Sequence, residues 1–219
     1  RHLRGRVVSA TYQNFSYLLE TNKGNYVHAT RVFDSRTPSI PRGALLQHFV
    51  GWRICTKKSK FDPNTAILMD FRAPQNSGIH FMYLLPFDSN NVLIESTVIS
   101  SQVLPISWYN HQIKQYLSKF YSITDFNIIK RERGIIPLAP LYSDDAFGIP
   151  IGMRAGALRA SSGYAFSQIQ KQITEMVHGD KLDFAKPGCN ATEAWMDQVL
   201  LRVLRTTPKR APELFMNIA

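Results

Sequence analysis

The stretch His80–Val98, "HFMYLLPFDSNNVLIESTV", decides how this chain is read. Two apolar, β-branched and aromatic runs, "HFMYLLP" (80–86) and "NVLIESTV" (91–98), flank the polar loop "FDSNN" (87–91), the pattern of an antiparallel hairpin. Successive side chains of a strand point to opposite faces. Leu93, Glu95 and Thr97 therefore share one face, and Val92, Ile94, Ser96 and Val98 the other. Glu95 is the one ionisable group in its run. A carboxylate in apolar surroundings is costly unless paired or protonated, so Glu95 either faces water or is kept as an acid.

Upstream, "RVVSATY" (6–12), "FSYLLET" (15–21) and "YVHATRVFDS" (26–35) read as strands separated by short turns, and "TPSIPRG" (37–43) as a Pro-rich connection. "AILMDF" (66–71) is a further strand with Leu68 and Asp70 on one face, and "RERGIIPLAP" (131–140) an edge strand with a solvated, charged end. Helices follow the hairpin. Ser107 is placed to cap one whose stripe is Tyr109, Ile113, Tyr116, Leu117 and Phe120. Ser161 or Ser162 is placed to cap a second from about Gly163, with Phe166, Ile169, Ile173, Met176 and Val177 as its stripe. Asn190 and Glu193 have capping-box spacing for a third, with Trp195, Met196, Val199, Leu200, Val203 and Leu204 as its stripe and Pro208 as its stop. Strands, a middle sheet and then helices make an α/β or α+β chain.

The 219 residues are 44% hydrophobic, enough to bury a real core, and no apolar run approaches the ~18 residues of a membrane span. The chain opens on Arg1, "RHLRGR" is followed by no signal-peptide core, and the start reads as a cut through a longer protein. Cys55 and Cys189 define no disulfide framework and fit a reducing compartment. The six histidines are scattered, so no metal site is expected. The net charge of +10 concentrates in Lys57-Lys58-Lys60, in Lys130-Arg131-Arg133 and between Arg202 and Arg210. Such surfaces attract phosphates, but no nucleic-acid motif accompanies the charge. The last helix, flanked by Arg202, Arg205, Lys209 and Arg210, is a candidate for membrane-surface contact.

If its face is covered, Glu95 is a protonated acid beside a substrate, and Asp70 is either its partner or in an ion pair with Arg72 or a nearby lysine. In "IGMRAGALRASSGYAF" (151–166), glycines 152, 156 and 163 permit close backbone approach, and a helix start offers N–H groups to an anion or to the pyrimidine edge of a flavin. Trp52, Trp108 and neighbouring Phe and Tyr rings suit a cation.

Taken in order, "QHFVGW" (47–52), "FDPNTAILMDFRAPQNSGIHFMYLLPF" (61–87), "VLIEST" (92–97), "RERGIIP" (131–137), "SSGYAF" (161–166) and "WMDQVLLRVLRTTPKRAPELF" (195–215) resemble the lycopene cyclase family. The family's acidic signature falls on Leu93 to Thr97: its first acid is Glu95 and its second is Ser96 here. In the glycine-rich segment Arg154 and Ala155 intrude, and Ala160 stands where a proline is common. The resemblance implies the C-terminal part of a flavoprotein with two dinucleotide-binding domains, carrying a mainly antiparallel substrate-domain sheet and C-terminal helices. Residues 1–44 would be a remnant of the FAD-binding domain, 45–140 the substrate domain, 141–180 a return to the FAD-binding domain and 181–219 a helical end. No G-x-G-x-x-G occurs, so these residues alone are expected to be inactive.

The implied activity is redox-neutral, acid-initiated cyclisation of lycopene or a related linear carotenoid to γ- and β-carotene, by a cytoplasmic enzyme bound peripherally to membrane. Reduced FAD and NAD(P)H would serve it. Glu95, Asp70 and Glu132 are the implied acid and base groups, and Gly152, Gly156, Ser162, Gly163 and Tyr164 the flavin contacts. The rival readings are a flavin-dependent oxidoreductase or hydroxylase on an apolar substrate, and a non-catalytic carotenoid- or lipid-binding relative.

Overall fold

The structure, a computed structural model, describes residues 2–141, 145–178 and 190–218. Its strands are β1 (Val7–Gln13), β2 (Ser16–Thr21), β3 (Tyr26–Ala29), β4 (Phe33–Asp34), β5 (Leu45–Cys55), β6 (Ile67–Asp70), β7 (Ile79–Pro86), β8 (Asn91–Ser100), β9 (Asn127–Leu138) and β10 (Ile149–Pro150). The helices are α1 (Ile106–Tyr121), α2 (Phe166–His178), α3 (Ala191–Thr206) and α4 (Ala211–Ile218). They form two units, one of residues 42–138 and 199–219, the other of 1–41 and 139–198. Cys189 lies outside the described residues.

The predicted hairpin is β7–β8, closed where the Phe87 N–H donates to the Asn91 carbonyl and the Asp88 carboxylate accepts from Asn90 and Asn91. It sits in a five-stranded antiparallel sheet of order β6-β7-β8-β5-β9. Period two splits this sheet cleanly. Val50, Trp52 and Ile54 of β5, Met82 and Leu84 of β7, and Val92, Ile94 and Val98 of β8 lie on one face, under Tyr109, Ile113, Tyr116 and Leu117 of α1. Burying each such aliphatic side chain contributes roughly 1.5–3 kcal/mol, so this face is the anchor that fixes the register of every strand. The stripe predicted for α1 is the one it buries, with Phe120 partly buried at its edge. Its start differs: Pro105 occupies the N-cap and no side chain caps the helix. Proline needs no N–H partner there, so Ser107 has no capping role.

In the other unit, β1, β2 and β3 make an antiparallel sheet, and β4 pairs in parallel with β10. The single strand expected over 26–35 is thus two strands in separate sheets. Asp34 joins the second sheet to the loop that follows. Its carboxylate accepts from the Arg36 guanidinium and the Phe147 N–H and lies 3.6 Å from the buried Arg154 guanidinium. Burial works to raise this carboxyl, but those donors win and hold it well below the usual carboxylate range. Arg154, an intruder in the glycine-rich segment, is therefore a structural pin that also donates to the Arg36 carbonyl and to Asp145.

Two helix stripes depart from expectation. α2 starts at Phe166, not near Gly163, and it buries Gln168 and Gln172 while Phe166, Ile173 and Val177 are exposed. Ser161 does not cap it: its hydroxyl donates to Asp197 on α3. α3 has the expected reciprocal capping box, with the Asn190 N–H donating to Glu193 and the Glu193 N–H to the Asn190 side chain. It ends at Thr206, just before Pro208, but it buries Asp197, Leu201 and Leu204, and Trp195, Met196 and Val199 are exposed. Buried polar partners fixed the rotation of both helices: Gln172 bonds Gly152 and Ala155, and Asp197 bonds Arg159, Ser161 and the Ala160 N–H.

Candidate active site

On the sheet face away from α1, register aligns Tyr83 of β7, Glu95 of β8, Gly51 of β5 and Glu132 of β9 on one rung. Glu95 and Glu132 stand on strands that are not neighbours, separated by β5 and hence by roughly 9–10 Å of backbone. They meet because the residue between them has no side chain. A Cβ on Gly51 would lie 2.9 Å from Glu95 Cγ and 3.0 Å from Glu132 Cγ. The two carboxyl groups fill that place and hydrogen-bond to each other.

Two carboxyls in contact cannot both be ionised without repulsion, which favours the protonated form of Glu95. Burial, then the hydrogen bond to Glu132, then its charge push the Glu95 carboxyl up to about 7. The Lys130 ammonium, 3.7 Å from Glu132 Oε2, gives negative charge on Glu132 a counterion. Glu95 is therefore the group of this rung that keeps a proton near neutral pH. Tyr83 completes the rung; burial and the neighbouring Glu95 charge raise its hydroxyl, which stays protonated.

The next rung is Phe81, Thr97, Phe49 and Gly134, with the Phe49 ring lying where a Cβ on Gly134 would be. Phe71 and Phe81 pack edge to face at 5.7 Å, Phe81 and Tyr83 at 5.3 Å, and Phe215 of α4 stacks on Phe71 at 6.0 Å. The acid pair is thus bordered by aromatic rings whose negative faces attract a cation. The Thr97 hydroxyl is buried and forms no hydrogen bond among the described residues.

Of the predicted acids, Glu95 and Glu132 come together and Asp70 does not join them. Asp70 pairs with Met82 across β6–β7, which puts it on the α1 face. There it binds the Arg72 guanidinium and accepts from the Tyr116 hydroxyl of α1 at 2.5 Å. Burial opposes ionisation, but the Arg72 and Tyr116 bonds outweigh it and hold Asp70 below the usual range as a carboxylate. It is a positioned ion-pair partner of Arg72, the second of the two alternatives in the sequence. Ser96, at the family's second acidic position, is also on the α1 face, fully buried and bonded to His80. An acid there would point away from Glu95, and the carboxyl partner comes instead from Glu132. The sequence reading missed Gly51, Tyr83, Phe49 and Phe215. Gly51 alone carries a signal, as a lone glycine inside a strand pattern.

Gly152, Gly156 and Gly163 all have positive φ, and their N–H groups are satisfied locally, by Gln172, Met153 and Arg159. The Tyr164 N–H donates to the Ser162 hydroxyl. The donors left for a bound group are those of the first turn of α2, which an α-helix leaves without intrahelical partners and which holds no acidic side chain here. There is open space beside Gly152. Among the described residues, no group of His, Cys, Asp and Glu is arranged to hold a metal.

The family model for lycopene cyclase protein matches residues 1–211. A lycopene beta-cyclase of Paracoccus sp. (strain N81106 / MBIC 01143) is 30% identical over 171 residues, 71% of this chain and 42% of the relative. A lycopene beta-cyclase of Pantoea ananas is 25% identical over 202 residues, 83% of this chain and 50% of the relative. The chain thus spans about half the length of the curated relatives it matches or less. Among solved structures, a geranylgeranyl bacteriochlorophyll reductase-like protein of Thermoplasma acidophilum matches with a TM-score of 0.53 at 8% identity, over 92% of this chain and 49% of that one. A Diels-Alderase of pyrroindomycin biosynthesis matches with a TM-score of 0.52 at 12% identity, over 98% and 51%. At such identities the likeness is one of fold. The sequence match over nearly the whole chain, with an acid pair built on the strand that carries the family's acidic signature, leads to one conclusion: the chain belongs to the lycopene cyclase family.

Proposed function

We propose that this chain is the substrate-binding and C-terminal portion of a lycopene β-cyclase, in which Glu95 and Glu132 work as one acid–base unit. The observation that carries the reading is the meeting of the Glu95 and Glu132 side chains over Gly51, on an aromatic-rimmed sheet face. Glu95 gives its proton to the terminal double bond of a linear end group, leaving a tertiary carbocation. A neighbouring double bond attacks that centre, closing the ring with a new carbon–carbon bond. The carboxylate of the pair then takes a proton from a carbon beside the new cation, and the ring double bond forms. One proton enters and one leaves, so no net oxidation occurs. Phe49, Phe81 and Tyr83 keep water from the cation and offer it their ring faces.

Residues 1–44 and 141–180 are proposed to belong to the flavin-binding part of the whole protein and 45–140 to its substrate part. The first turn of α2, with Ser162 and Tyr164, would hold the ring edge of FAD. Kept reduced by NAD(P)H, that cofactor would supply electron density favourable to a cation. The substrate, a linear carotenoid, resides in a bilayer, which makes the proposed enzyme a cytoplasmic protein bound peripherally to membrane.

The test is a pigment assay with the full-length gene expressed in a lycopene-accumulating bacterium. Conversion to cyclic carotenes is expected. Unchanged lycopene in the presence of abundant, flavin-loaded protein removes the cyclase reading, and full activity of Glu95→Gln removes the assigned acid.

A further inference from the structure

The edge strand that carries Glu132 on one face carries a different surface on the other. Arg131, Arg133 and Ile135 of β9 project from the α1 side of the sheet, and all are exposed because α1 covers β5 and β8 rather than β9. Ile129, the extra residue where the β5–β9 register shifts, is exposed as well. The approach to α1 adds Val103 and Ile106. Exposure is 55% for Ile129, 47% for Ile135, 46% for Val103 and 47% for Ile106. Between β9 and the start of α1 lies a cavity of about 480 Å³, with Val50, Leu104 and Tyr109 among its walls and Val103, Ile106 and Ile135 at its rim. Its lining holds Arg133 and no carboxylate. Large aliphatic side chains left in water around a largely apolar hollow, interleaved with arginines that form no ion pair among the described residues, suit a surface that is itself apolar below and anionic above.

We propose that this β9–α1 strip docks the protein on an anionic bilayer, so that the strand bearing Glu132 is the one seated at the lipid surface. The inference rests on the cyclase reading for its purpose, since a bilayer-borne carotenoid must leave the membrane to reach the acid pair. Its support is independent: exposed aliphatics, a largely apolar hollow and cations together on an edge strand. This places the docking surface on β9 and the approach to α1. An edge strand seated on lipid headgroups is also shielded from pairing with another chain, a liability that its arginines already reduce.

The experiment uses the full-length, flavin-loaded protein with vesicles of phosphatidylcholine alone or mixed with phosphatidylglycerol. The Arg131→Gln/Arg133→Gln variant is expected to lose about fivefold in partitioning per charge removed on the mixed vesicles and little on the neutral ones. The Val103→Ser/Ile106→Ser/Ile135→Ser variant is expected to lose at least tenfold, on the order of the transfer energy of a few methylenes, on both. Cyclisation of vesicle-borne lycopene should fall in step, while detergent-dispersed lycopene is converted at the wild-type rate. Unchanged partitioning by either variant, with circular dichroism confirming a native fold, overturns the proposal. So does a loss of self-association in place of a loss of vesicle binding, which would identify a second copy as the occupant. Absence of cyclisation with both forms of substrate, alongside the expected vesicle result, overturns the enzyme reading and leaves the docking surface standing.

Discussion

Replacing Gly51 by alanine tests the acid pair without touching either acid. The added methyl would stand 2.9 Å from Glu95 Cγ, 3.0 Å from Glu132 Cγ and 3.2 Å from Glu95 Oε1. Gly51 lies in ordinary extended backbone, so alanine brings no conformational strain there. The obstacles are the stems of two flexible side chains, which swing apart at a cost of about 1 kcal/mol, the low end for an overpacked site. What they lose is the hydrogen bond that lets one proton serve both, worth about 1.5–3 kcal/mol where one member is charged. At about 1.4 kcal/mol per pH unit, that lowers the Glu95 carboxyl by roughly 1–2 units. Burial, the largest cause of its elevation, remains and keeps it above its ordinary 4.5. The high-pH limb of the rate profile for lycopene conversion should therefore move to lower pH by about that amount, with a matching loss of rate at neutral pH and a melting temperature lowered by several degrees. A Gly51→Ala protein that is folded and keeps the wild-type high-pH limb would show that the contact between the carboxyls is irrelevant to proton delivery.

On the proposed mechanism the reactive form keeps Glu95 protonated, so the rate of the full-length protein should fall tenfold per pH unit above about 7, as read from kcat/KM between pH 5 and 9. The same raised carboxyl has a stability signature. Its folded value exceeds its unfolded one, so its contribution is complete below about 4.5 and is lost as pH rises through about 7; melting temperatures of wild type and Glu95→Gln should converge toward low pH and separate above 7. Asp70→Asn breaks the bonds to Arg72 and Tyr116 and should cost about 1–3 kcal/mol in urea denaturation while leaving the pH limb in place; a displaced limb would put Asp70 in the chemistry. Asn190→Ala removes half of the capping box of α3 and should cost about 1 kcal/mol by the same measurement.

The hairpin was legible because two periodic runs and a polar turn leave few other structures, and the face assignment of Glu95 followed from period two alone. The helix rotations were less legible. Apolar spacing predicted that α2 and α3 bury their hydrophobic stripes, whereas Gln172 and Asp197, each satisfying backbone donors or acceptors, set the buried side. A polar residue whose partners lie far along the chain gives no periodic signal. Asp70 was ambiguous for a related reason: the nearby Arg72 was visible in the sequence, but Tyr116, which also holds it, comes from α1.

The partnership of Glu95 with Glu132 depends on something subtler than composition, the register of β9. Near its start Asn127 and Ile128 pair with Cys55 and Ile54. Continued without interruption, that pairing would set Arg131 opposite Gly51 and turn Glu132 toward the α1 face, where it would oppose Val50. The bulge at Ile129 shifts the strand by one residue, so that Lys130 opposes Arg53 and Glu132 opposes Gly51. The same residue that re-aims the strand thus decides whether Glu95 faces a carboxylate or an arginine. An arginine there would ionise Glu95 and end its use as an acid at neutral pH, whereas a second carboxylate keeps it protonated. A bulge in a strand with three consecutive apolar, charged and charged residues leaves no mark in the hydrophobic pattern. That is why the sequence offers both acids and a lone glycine but not the geometry that makes them one site.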